Sequence, residues 1–143
     1  MNATRLYSEI GKLLYAIASA DGTISASEKL KLNELMQKSL LRVKKKDQFG
    51  TPIGYYTEIE FEFLEEELID PELAISSFLD YIEEHYSALG LHEIQLIREL
   101  AWETAESFRH VNQKENKMLI RMENTFLQIK NKQLKQLKNY END

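Results

Sequence analysis

A chain of 143 residues with 43% apolar and 29% charged side chains has the size and balance of one globular domain. Two prolines and five glycines exclude collagen-like and low-complexity classes, and the lack of cysteine excludes disulfide frameworks, thiolate zinc sites and cysteine nucleophiles. The net charge of −6 is unevenly spread: residues 1–46 carry +5, residues 47–97 carry −13 with no Lys or Arg, residues 98–108 carry −2 and residues 109–143 carry +4.

Helical periodicity runs through nearly the whole chain. Over 4–20, Leu6, Ile10, Leu13, Leu14 and Ile17 share one face. Residues 13–20 also read like a short signal-peptide core, but the apolar run is minimal and Glu9 stands in its lead-in, so a cytoplasmic chain is the expectation. Asp21-Gly22 ends the first helix, with Gly22 suited to a left-handed C′ position. A second helix is predicted from Ser25 to about Lys46, turning Leu32, Leu35, Met36 and Val43 inward, followed by a surface loop at 47–56.

Residues 57–63 alternate with period two, as a strand would. Thr57 and Glu60 instead fit a capping box, no second strand is available to pair, and a helix at 58–69 follows. Asp70-Pro71 reads as N-cap and first residue of a helix reaching toward Gly90. Two more helices are expected, from Leu91 to about Arg109 and over 113–140. The last carries two apolar stripes. One is Leu119, Met122, Phe126 and Ile129; the other is Ile120, Leu127 and Leu134, with Leu137 nearby. Either both stripes are covered within a small α protein, or one pairs with a protein partner or a second copy in a homodimer.

A shift of 87 residues lays 4–36 over 91–123. Ile10 then meets Ile97, Leu13 meets Leu100, Tyr15 meets Trp102, Ala18 meets Ala105 and Glu28 meets Glu115. The expectation is an all-α, multihelical single domain over 1–143. It has one repeat at about 4–56, a second at about 91–143, acidic helices at 57–90 between them, and a pseudo-twofold axis relating the repeats. The elbows would be Asp21-Gly22 and Phe108-Arg109, plugged by Ile24 and Val111, with Glu28 capping Ser25 and Glu115 capping Asn112.

Ala20 to Glu28 matches the later half of an EF-hand loop, with Asp21, Gly22, Ile24 and Glu28 at loop positions 5, 6, 8 and 12. The acidic first half is missing: Ile17 and Ser19 fall where ligands should be, so a standard EF-hand is excluded. Asp21 and Glu28 remain as oxygen donors that could hold calcium or another divalent cation. The competing readings are purely structural: Glu28 is a capping partner, and Asp-Gly is a common turn pair. No other cofactor is expected. His85, His92 and His110 lack metal-ligand spacing, and the glutamates at 65–67 interleave with core positions as a solvated face does. Basic residues spread along helices without aromatic interleaving argue against nucleic acid. No run reaches the ~18–20 apolar residues of a membrane span.

The run Ala-Asp-Gly-x-Ile-Ser-x-x-Glu at 20–28, after Leu-Leu-Tyr-Ala-Ile-Ala and before Leu32 and Leu35, resembles the tellurite-resistance TerB family and its TerB-like superfamily. The likeness is clear over 6–36 and fainter over 91–129, and only helical character carries it over 40–88. It implies an all-α fold of two pseudo-twofold-related repeats. It also implies an acidic surface that binds divalent cations, at Asp21 and Glu28 here, and a stress-linked, non-catalytic role in complexes. Phe108-Arg109 departs from the acidic turn in the second copy. The function expected is a non-enzymatic interaction module. The alternative is a calcium-responsive switch with an incomplete EF-hand-like turn.

Overall fold

The computed structural model describes residues 2–40, 43–107 and 113–141, except the side chains of residues 113, 115, 140 and 141. Six α-helices follow one another: α1 (Ala3–Ala18), α2 (Ala26–Leu40), α3 (Tyr55–Glu66), α4 (Pro71–His85), α5 (Leu91–Glu106) and α6 (Gln113–Glu141). A 3-10 turn at Tyr86–Ala88 closes α4, and the only β pairing among the described residues is an isolated bridge between Lys46 and Pro52. The protein is an all-α, multihelical single domain, and the 57–63 segment is helix.

α1 is the hub, packing on α3, α4, α5 and α6. Leu6, Ile10, Leu13, Leu14 and Ile17 are buried as the periodicity predicts, but so are Tyr7, Glu9, Gly11 and Tyr15 around the rest of the helix. Gly11 lets α3 come close: a Cβ there would stand 2.6 Å from the Thr57 carbonyl oxygen. Across the same contact the Thr57 hydroxyl donates to the Tyr7 carbonyl at 2.6 Å. Phe61 meets Tyr15 edge-on, with ring centroids 5.8 Å apart.

Two boundaries differ from the sequence reading. α2 is described as far as Leu40, and residues 43–46 are not helical, where the sequence reading carried the helix to about Lys46. Asp47 organises a tight loop instead: its carboxylate accepts the N–H groups of Phe49 and Thr51 and the Tyr56 hydroxyl, and its own N–H donates to the Thr51 carbonyl. The Tyr56 hydrogen bond, with the two backbone donors, holds the Asp47 carboxyl below the usual range. That loop draws 43–46 out as an extended arm against 52–53. α3 then opens at Tyr55, earlier than expected, so Thr57 is its third residue and not a cap. The carbonyls of Pro52, Ile53 and Gly54 receive the N–H groups of Tyr55, Tyr56 and Thr57, which leaves no need for a side-chain cap.

The other helix ends follow their signals. The Asp70 carboxylate accepts the Glu72 N–H, with Pro71 opening α4. α3 ends with Leu68 in the left-handed region (φ 52°), the Ile69 N–H bonding back to the Leu64 carbonyl. α1 and α5 each run 16 residues and start at Ala3 and Leu91, 88 positions apart against the offset of 87 read from the sequence. The second elbow at Phe108-Arg109, with Val111 and Asn112, lies outside the described residues, as does the Glu115 side chain.

Candidate functional site

The first elbow is built by α1 running out. The Ser19 hydroxyl donates to the Tyr15 carbonyl, the Gly22 N–H bonds to the Ser19 carbonyl, and Gly22 takes φ 125°, a conformation side chains rarely adopt. Ile24 packs partly buried against the core below. Ser25 and Glu28 form the expected reciprocal cap. The Glu28 N–H donates to Ser25 Oγ at 3.2 Å, and Glu28 Oε1 accepts the Ser25 N–H at 3.4 Å. Asp21 is exposed and lines a groove of about 330 Å³ with Tyr15, Ser19, Leu68, Asp70 and Lys114, a set that does not include Glu28. The Tyr15 hydroxyl donates to the Ile69 carbonyl in that groove, and burial pushes its pKa up. Among the described residues, no group of three or more His, Asp or Glu is placed to hold a metal ion.

A second constellation was not singled out from the sequence. Glu9 is completely buried in α1. Its Oε1 accepts Lys12 Nζ at 2.8 Å and Arg5 Nε at 3.1 Å. Lys12 Nζ also reaches the Ser77 hydroxyl on α4 at 3.0 Å, and the Arg5 guanidinium lies 5.2 Å over the Tyr81 ring. Glu9 Oε2 has no hydrogen-bond partner among the described residues. Glu60 of α3 stands beside this network; burial raises its pKa, Lys12 opposes the rise and Glu9 adds to it. The sequence did carry a signal for it. Glu9 shares the apolar arc of Leu6, Ile10 and Leu13, with cations four residues before and three after.

α6 presents the third feature. Met118, Leu119, Met122, Thr125 and Ile129 are buried, and Phe126 is partly so. The second stripe stays outside: Ile120 is 49% exposed, Leu127 56%, Leu134 49% and Leu137 61%. The central, fully covered position belongs to α1, while α6 is covered on one side only. Every residue from 130 to 139 is exposed, so this end of α6 extends past the core. It carries Lys130, Lys132, Lys135 and Lys138. Earlier in α6, Glu123 pairs with Arg98 Nε at 2.8 Å and accepts the Trp102 indole N–H at 3.1 Å, while Arg121 bridges to Glu72 of α4. His92 is exposed. Among the described residues, no helix is long and apolar enough to cross a membrane.

Compared with known proteins, the chain matches no family model, no curated protein and no solved structure.

Proposed function

We propose that this chain is a non-enzymatic helical interaction module of TerB-like character, and that the far end of α6 docks onto a second copy. The observation that carries this reading is the end of α6 itself. Ten consecutive residues, 130–139, are exposed on a helix that keeps two leucines outside. A helix end of about 15 Å gains little from propensity alone and is normally held by packing. Its charge points to the partner surface. The tail offers lysines, whereas 47–97 contains acids and no Lys or Arg. On that acidic stretch α3 exposes Tyr55, Ile59 and Phe63 at four-residue spacing, flanked by Glu58, Glu62 and Glu66. Leucines flanked by lysines meet apolar side chains flanked by glutamates, and a reciprocal exchange between two copies closes the assembly.

Light scattering across a concentration series tests this. Wild type should approach twice the 16.8 kDa chain mass, and Leu134→Asp should stay at one chain with unchanged helicity. Lys135→Glu with Lys138→Glu should also dissociate it, and Glu62→Lys with Glu66→Lys on the mixed partner should restore the pair. A wild-type chain that stays monomeric at high concentration overturns the reading.

A further inference from the structure

A separate groove of about 530 Å³ lies where α2 ends and α3 begins. Met36 and Leu40 of α2, Val43 and Lys44–Lys46 of the extended arm, Pro52 and Gly54 of the loop, and Tyr55 and Glu58 of α3 line it together with Gln37. The volume falls within the ~300–1,000 Å³ of small-molecule sites. Its walls are mainly apolar, and among the described residues its charge is one-sided: three consecutive exposed lysines against a single acid. That acid, Glu58, holds its proton above the usual carboxylate range, first through burial and then through Glu62.

Beside the groove the Val43 N–H goes to the Leu40 carbonyl and the Tyr55 N–H to Pro52, which itself has no N–H. The apolar wall suits a hydrocarbon chain, whose burial needs no hydrogen-bond partner. The lysines ask for an anion at one end of it. We propose that this groove binds a small amphipathic anion, an acyl chain seated on Met36, Leu40, Val43 and Pro52 with its carboxylate among Lys44, Lys45 and Lys46. Tyr55 and Glu58 belong both to this groove and to the α3 face proposed above for a partner's α6 tail, so the titrations use the full chain carrying Leu134→Asp, in which that tail is not docked and the groove is tested on its own.

The probes are sodium octanoate and octylammonium chloride, titrated separately into isotope-labelled protein and followed by amide NMR. Octanoate should shift Val43–Lys46 and Gly54–Glu58 and bind at least tenfold tighter than octylammonium. Lys44→Glu, Lys45→Glu and Lys46→Glu together should reverse that order while helicity stays intact. Tyr55→Asp, a change at a half-exposed helix start, should weaken octanoate at least fivefold with the lysines in place. Equal affinity for the two probes, shifts confined to the outer α6 residues, or no shift at either arm of the groove overturns the proposal.

Discussion

α1 and α5 carry the same apolar template yet live in different surroundings. Ile10 and Ile97, Leu13 and Leu100, and Ala18 and Ala105 are all at most 1% exposed. Between those anchors the helices part. Tyr15 is 4% exposed and its counterpart Trp102 is 40%. Glu9 is sealed in, while Leu96, the residue matched to it, is only partly buried. The difference comes from neighbours: α1 packs on α3, α4, α5 and α6, whereas the major partners of α5 are α1, α2 and α6. An apolar stripe guarantees one buried face; how many further faces are buried is decided by tertiary placement. Where placement buries a carboxylate, cations must follow it inside.

The sharpest way to break this comparison is to remove the cations from α1. Lys12→Leu should cost about 2–3 kcal/mol in urea unfolding, because it strips the shorter of two ion pairs from a buried carboxylate whose second oxygen already lacks a partner. Glu9→Leu, which makes α1 resemble α5 at this position, should stay within about 1 kcal/mol of wild type. Arg5 and Lys12 keep 59% and 22% of their side chains exposed and can turn to water once Glu9 is gone. Equal losses from the two substitutions would show that α1 does not depend on pairing a buried charge.

This asymmetry marks what the sequence could disclose. The helical class was legible because apolar spacing and strong stops agree: Asp21-Gly22 ends α1, Asp70-Pro71 opens α4, and helix wins over strand at 57–63. Helix was carried too far over 43–46 and α3 was started too late because Asp47 gathers backbone donors from residues beyond it, and a single Asp in a loop gives no notice of that. The Ser25–Glu28 cap was legible, being local. Glu9 carried a local signal in its place on the apolar arc between Arg5 and Lys12, but its complete burial depends on α3 and α4 arriving from later in the chain. The two stripes of α6 were visible in the sequence, but which of them faces the core depended on how its neighbours are arranged.

The turn leaving α1 offers a milder test. Glu28→Ala should cost about 0.5–1 kcal/mol by leaving the Ser25 N–H unanswered, and Glu28→Gln should cost less, because an amide oxygen can accept the same bond. Glu28→Gln combined with Asp21→Ala probes the cation role that the sequence resemblance implies for these two residues. Two carboxylates, one already engaged in a cap, supply too few of the 6–8 oxygens that calcium takes. Calcium followed by amide NMR should therefore show affinity of about millimolar or weaker, near the weak end for protein calcium sites. Submillimolar binding that Asp21→Ala and Glu28→Gln together abolish would instead establish the elbow as a metal site.

The smallest expected effect concerns Glu60, which α3 presses against α1 beside Gly11 and Lys12. Burial raises its pKa, so in the folded chain it keeps its proton to higher pH than in the unfolded chain. The folded state then binds more protons than the unfolded one through that interval. The stability this contributes is present at low pH and is lost as pH rises through the folded pKa. Glu60→Gln removes the charge that burial penalises, so it should raise the melting temperature at pH 7 by about 1 °C and give little or no gain at pH 4. Glu99→Gln on α5 is the matched control. That residue is exposed, at the position aligned with Lys12, and the same substitution there should change nothing at either pH. A gain at Glu99 equal to that at Glu60 would mean that net acidity, rather than the crowding of α1 by its neighbours, sets the pH dependence of this fold.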